Sequence, residues 1–355
     1  MGRALGVYAF GLLGVAAAIA QTATSTQTAA APAAAAHARM TLDVVVKDRA
    51  GKPIGALEPP QFKILDNGQP RKVLAFRRTD GTTGSSAEPP VQVILLVDVV
   101  DMPYKAVSFQ RLEVDKFLRS NGGHLSHPTS LFILNSKGLN VQPEPSRDGN
   151  AIADELAKAG TVRAMDASSG YAGALEQFDR ATTTLLGIAD NEAHKPGRKI
   201  LIWIGHGWPL LQGPVWHQTN ESRQTLFRTI MNLQNKLREG RVTVYGLFTL
   251  VGENARGIWE GHLKPVTDPR AADPADLALQ VIALHSGGRI LDPTNDVAGQ
   301  IANCTTDIGP YYTLLFEPGP STGPNEFHTL AVQVDQPDLT ARTNSGYYTA
   351  ATPAP

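Results

Sequence analysis

The 355-residue chain carries 32 Lys+Arg against 33 Asp+Glu, a net charge of −1, with one cysteine, 25 prolines and 33 glycines. That balance excludes a basic nucleic-acid footprint and an acidic disordered tail as properties of the whole chain, while the length suits two or three domains with a real core. A lone Cys304 excludes an intrachain disulfide framework and a zinc site built on cysteines.

Residues 1–20 have one positive charge, Arg3, then an apolar run ending Ala18-Ile19-Ala20 before Gln21. A basic start, an apolar centre and a small-x-small end are the pattern of a secretory signal peptide, with an uncleaved anchor as the alternative. No cysteine follows the run, which excludes a lipid-modified N-terminus, and no later stretch has the length of a membrane span after signal cleavage. The expected location is secreted or periplasmic. Cys304, at an apparent helix end, is expected to be a small buried hydrophobe. Residues 21–38, rich in Gln, Thr, Ser, Ala and Pro, are expected to form a disordered tether.

From 39 to 80 the pattern is β. Leu42, Val44 and Val46 alternate along one strand, and Asn67-Gly68 between apolar runs is a two-residue hairpin signal. Residues 81–90 form a linker of Gly, Thr, Ser and Pro. From 91 to 304 the texture changes. Near-continuous apolar runs at Val91–Asp98, Thr129–Leu134, Lys199–Ile204 and Val242–Phe248 read as strands covered on both faces. Helical patterns over Tyr104–Arg119, Asn150–Ala159, Gly170–Ile188, Trp216–Arg238 and Pro274–His285 alternate with them. The fold class predicted is α/β, with a doubly wound, mostly parallel sheet whose ligands would lie at the carboxyl ends of the strands, where Asp98 and His206 fall. From 305 to 350 the chain is β again, as three strands at Tyr311–Phe316, Phe327–Val334 and Thr340–Tyr348. Residues 39–80 and 305–350 are each too short to stand alone, so they are expected to pair into one split β-sandwich flanking the α/β block.

Several strings in this order resemble the bacterial von Willebrand factor A-related proteins abundant in acidobacterial genomes. They are Leu42-Asp43-Val44-Val45-Val46-Lys47-Asp48 with Asp66-Asn67-Gly68, Ile94-Leu95-Leu96-Val97-Asp98, Lys199-Ile200-Leu201-Ile202-Trp203-Ile204 with Gly207-Trp208-Pro209, Leu284-His285-Ser286-Gly287-Gly288-Arg289, Tyr311-Tyr312-Thr313-Leu314, and Arg342 with Gly346-Tyr347-Tyr348. The resemblance spans nearly all the chain after the tether. It implies a type A fold and a non-enzymatic adhesion or protein-interaction module.

Such domains often hold a divalent ion at the strand-end rim through Asp-x-Ser-x-Ser, a later Thr and a further Asp. On this resemblance Asp98 takes the first position, Val100 and Met102 replace the serines, Ser168 or Ser169 falls near the threonine, and His206 replaces the last aspartate. The metal-ion-dependent adhesion site is therefore expected to be degenerate, with Asp98 accepting from nearby backbone N–H groups. A different site of Asp98, Asp101 and His206, taking Mn²⁺ or Zn²⁺ rather than Mg²⁺, is the alternative and would suit a metal-dependent hydrolase. Trp208, Leu211 and Trp216 are candidate contacts for an unknown protein ligand, unless Trp208 and Leu211 tuck against the sheet edge or the flanking helix. His124 and His127 are expected in a loop without a third ligand. Neither a Gly-x-Ser-x-Gly elbow nor a glycine-rich nucleotide loop occurs, so no nucleophile is evident.

Overall fold

The structure is a computed structural model that describes residues 39–80, 88–100, 102–142, 144–158, 170–211, 219–248 and 259–350. The expected signal segment (1–20), the tether (21–38) and residues 81–87 of the linker lie outside them. The first strands are β1 (Met40–Lys47), β2 (Phe62–Asp66), β3 (Gln69–Arg71) and β4 (Val73–Thr79). The α/β block follows as β5 (Gln92–Asp98), α1 (Tyr104–Leu118), β6 (His124–Asn135), β7 (Gly138–Val141), β8 (Ser146–Asp148), α2 (Gly149–Lys158) and α3 (Gly170–Ala193). It continues as β9 (Lys199–Gly205), α4 (Asn220–Glu239), β10 (Val242–Phe248), α5 (Leu279–His285), β11 (Ile290–Leu291) and α6 (Val297–Thr305). The last strands are β12 (Tyr311–Phe316), β13 (Phe327–Val334), β14 (Thr340–Arg342) and β15 (Gly346–Tyr348).

The α/β block is built on one sheet of order β11-β10-β9-β5-β6-β7, with β8 also paired to β6. β5, β6, β9, β10 and β11 run parallel, while β7 and β8 are antiparallel to β6. The continuous apolar runs have the cause expected, because side chains alternate between two covered faces. Ile94 and Leu96 of β5 join a core with Phe178 and Leu185 of α3 and Phe227 and Ile230 of α4. Val93, Leu95 and Val97 face the other way, onto Val107 and Val114 of α1, Ile152 of α2 and Ile301 of α6. Each such side chain contributes about 1.5–3 kcal/mol by leaving water. Strand order reverses between β5 and β9, and open sheets of this kind take their ligands in a crevice outside the carboxyl ends at such a point.

Two four-stranded antiparallel sheets, β14-β1-β12-β4 and β15-β13-β2-β3, take strands from both flanks of the α/β block. Leu42, Val44, Tyr312 and Phe316 of the first share a core with Phe62, Ile64, Leu330 and Tyr347 of the second. Val45 and Tyr311, on the opposite face of the first sheet, join the core of the α/β block. The β2–β3 hairpin turns at Asn67 and Gly68, whose φ angles of 49° and 74° are the two positive values its tight turn needs.

Four expected elements differ. Thr340–Tyr348 is not one strand: β14 pairs with β1 and β15 with β13, because the chain changes sheets at Thr343–Ser345. There Ser345 N–H donates to the His285 carbonyl at 3.0 Å, and its hydroxyl lies 2.6 Å from His285 Nδ1. His124 and His127 lie within β6, extended because β8 pairs alongside them. α4 begins at Asn220 because Thr219 caps it, Oγ1 accepting from Ser222 N–H at 3.1 Å. The helix expected over Pro274–His285 is a 3₁₀ turn at Pro274–Leu277 followed by α5.

Candidate functional site

Asp98 ends β5 and His206 follows β9, and the two strands are paired through Val97 and Ile204, so both residues stand at the crevice. Asp101, Ser168, Ser169, Trp216 and His217 lie outside the described residues. Asp98 is 2 % exposed. Its Oδ1 accepts from Val100 N–H at 3.0 Å and its Oδ2 from the Trp203 indole N–H at 3.1 Å. Gln110, fully buried on α1, closes the strand ends from one face, its amide nitrogen donating to the Ile204 carbonyl at 2.6 Å and lying 3.4 Å from the Asp98 carbonyl.

Gln177 of α3 does the same from the other face. Its amide nitrogen is 3.2 Å from His206 Nε2 and 3.4 Å from the Gly207 carbonyl. An amide that donates to both leaves Nε2 as an acceptor and puts the imidazole proton on Nδ1, which is buried without a partner. Burial also pushes the His206 pKa below the ordinary imidazole value, so the ring is neutral.

These residues do not fit a divalent ion of the adhesion-site kind. Val100 and Met102, at the two serine positions, are 3 % and 0 % exposed and belong to the cores on opposite faces of the sheet. Both Asp98 oxygens are committed to N–H donors, and the Nε2 lone pair of His206 faces an amide. Among the described residues no group of three or more His, Cys, Asp or Glu is placed to hold a metal ion.

Trp208 and Leu211 are corrected as contact candidates. They are 7 % and 3 % exposed and lie in the core beside α3 and α4. The Trp208 ring packs edge-on to Trp203 at 5.1 Å, and its indole N–H donates to the Leu277 carbonyl at 3.1 Å. Little of either side chain is left for a partner to touch.

Among the described residues the exposed aromatics are Tyr104, 68 % exposed, and Tyr171, 39 % exposed, both at helix starts. Each stands six positions before a buried glutamine that holds the crevice, Gln110 on α1 and Gln177 on α3. Six residues span about 9 Å of helix, so both helices carry a tyrosine beyond the glutamine that anchors them. α1 and α3 pack on opposite faces of the sheet, so the two tyrosines begin helices on its two sides. Helix-start tyrosines have no apolar periodicity to mark them in the sequence, and neither do the glutamines.

No protein-family model matches the chain, and neither does any curated protein. Among solved structures, a human COPII-coat protein, Sec24c, aligns with 7 % identity over 78 % of this chain and 46 % of its own, at a TM-score of 0.36. The pilus adhesin SpaC from Lactobacillus rhamnosus GG aligns with 10 % identity over 83 % of this chain and 42 % of its own, at 0.35. Proximal thread matrix protein 1 from the mussel byssus aligns with 12 % identity over 61 % and 47 %, at 0.34. The chain spans less than half the length of each, and likenesses this loose carry no argument about fold family or function.

Proposed function

We propose that this chain is an exported, non-enzymatic protein-interaction module of the von Willebrand factor A-like kind, recognising its partner at the crevice rim without a metal ion. The observation that carries the reading is the pair of exposed tyrosines at the starts of α1 and α3, helices on opposite faces of the sheet, together with a strand-end carboxylate sealed by hydrogen bonds. Tyrosine supplies large contact area at low entropic cost and dominates interface cores. The mostly parallel sheet of order β11-β10-β9-β5-β6-β7, covered by helices on both faces, is compatible with the doubly wound fold that the resemblance implies. Export rests on residues 1–20 alone. The hydrolase alternative at Asp98, Asp101 and His206 has less support, because both Asp98 oxygens accept from N–H donors and His206 Nε2 faces the Gln177 amide.

The test is capture of envelope proteins on the immobilised chain, compared with a Tyr104→Ser/Tyr171→Ser variant. Thermal unfolding of the variant shows whether the fold is retained, so that lost capture is read only on folded protein. Loss of two such anchors should weaken a bound partner roughly 30-fold or more. Partner binding that survives the double substitution, or that disappears on chelation, would count against the reading. Calorimetric titration with Mg²⁺, Mn²⁺ and Zn²⁺ should give no saturable heat.

A further inference from the structure

We propose that Lys47, Arg289 and Arg342, gathered around Asp307 where the α/β block meets the sandwich, form a binding site for a tetrahedral oxyanion of the phosphate or sulfate class. Lys47 closes β1 and Arg342 closes β14, both in the sandwich; Arg289 precedes β11, and Tyr245 lies in β10 of the parallel sheet. All four converge on Asp307, which is fully buried after α6. Its Oδ2 accepts from Tyr245 O–H at 2.7 Å, with Arg289 Nε 3.1 Å away, and it pairs with Arg342 and, through Oδ1, with Lys47.

Three cations thus meet one carboxylate, and nothing else in the cluster is negative. Burial pushes the Tyr245 phenol up and the Cys304 thiol up to about 12, so both stay neutral. A surplus of two positive charges remains beside a low-dielectric seam, where like charges repel more strongly than in water.

The surplus is also pre-positioned. Arg342 donates to Tyr245 Oη at 3.0 Å, and Arg289 donates to the Asn303 carbonyl and Oδ1 at 3.2 and 3.1 Å. Both guanidinium carbons lie 5.8 Å from the centre of the Tyr245 ring, so neither can swing away to be solvated without giving up that contact. The Nε–H of Arg342 is shut off from solvent without a hydrogen-bond acceptor. Buried donors of this kind are rare unless something else satisfies them. The side chains of Lys47, Arg289 and Arg342 are 16, 28 and 24 % exposed, so the cluster can be reached from water. Donors arriving from three elements, rather than in one plane, suit a tetrahedral anion. Such an anion would tie β1 and β14 to the parallel sheet.

Thermal unfolding of the full chain at constant ionic strength, with inorganic phosphate replacing chloride, tests this. Phosphate also stabilises proteins by exclusion from their surface, but that effect grows linearly with concentration and does not depend on one side chain. A site adds a rise that follows the logarithm of one plus the ratio of phosphate concentration to dissociation constant, steep at low concentration and flattening above it, about 2 °C at ten times the dissociation constant. The logarithmic part should vanish in Lys47→Gln and in Arg289→Gln, and calorimetric titration of phosphate into the unsubstituted chain should show saturable heat. Lys47→Gln keeps the test valid if Arg289→Gln fails to fold. A purely linear response in the unsubstituted chain, or a logarithmic one that persists in the folded variants, overturns the proposal.

Discussion

The two carboxylate oxygens of Asp98 accept from different donors, Val100 N–H and the Trp203 indole, so an amide in the same place can satisfy only one of them. Asp98→Asn should therefore cost about 1–3 kcal/mol in urea unfolding, and Mg²⁺ should leave both curves unmoved. The place of Asp98 was legible because an acid closing an apolar strand must lie at the sheet's carboxyl edge. Its partner Trp203, 105 positions away, was not, because only strand pairing brings the two together. Asp307 was missed for the same reason: its partners, Lys47, Tyr245, Arg289 and Arg342, come from four other segments. Burial works to raise its pKa, but Arg342, Lys47 and Arg289 more than reverse this and hold it at about 2. A carboxyl depressed in the folded state stabilises at pH values above its unfolded pKa of about 3.9 and loses that contribution as pH falls through about 2. The advantage of the unsubstituted chain over Asp307→Asn should thus shrink by about 2.5 kcal/mol from neutral pH downwards, with the change confined to the range below about pH 4. A stability gap that stays constant over that range would show that the carboxylate is not held by its cations.

At the scale of elements, the parallel strands were readable because burial on both faces demands unbroken apolar runs, and the Asn67-Gly68 turn because its backbone demands those residues. What escaped was whatever depended on a neighbour. Nothing in Thr340–Tyr348 itself tells that its two halves enter different sheets; His285 and the close approach of Gly287 to Thr343 decide it. Glu88, expected in a linker, is instead 3 % exposed and pairs with Arg241 and the Tyr311 hydroxyl. β15 is an edge strand only three residues long, and α4 secures it: Asn235 donates to the Tyr348 carbonyl at 3.0 Å and accepts its N–H at 3.1 Å. Asn235→Ala removes both bonds at a partly buried edge and should cost about 1–3 kcal/mol. Hydrogen exchange would locate the damage, with the Tyr348 amide losing protection while amides of β9 keep theirs.

For the molecule as a whole, the decisive feature is that β12 lies between β1 and β4, and β13 between β15 and β2. Removing residues 307–355 takes away the central partner of β1 and β4 and uncovers β2. In the shortened chain, residues 39–80 should be digested by a protease at concentrations the full chain resists, and resistance of that segment would show that it folds unaided. The same topology sets how the molecule carries a load. The polypeptide leaves the sandwich at the end of β4 and returns at the start of β12, and these ends are paired, Thr79 opposite Tyr311. Tension applied to the α/β block therefore pulls β4 and β12 in one direction as a pair, along their length. Resistance falls on the ladder between β12 and β1, from Met40 opposite Phe316 to Val44 opposite Tyr312. Those hydrogen bonds lie across the direction of pull and must break together rather than one at a time. An inserted block anchored this way is mechanically clamped, whereas one hung from a single terminus would peel.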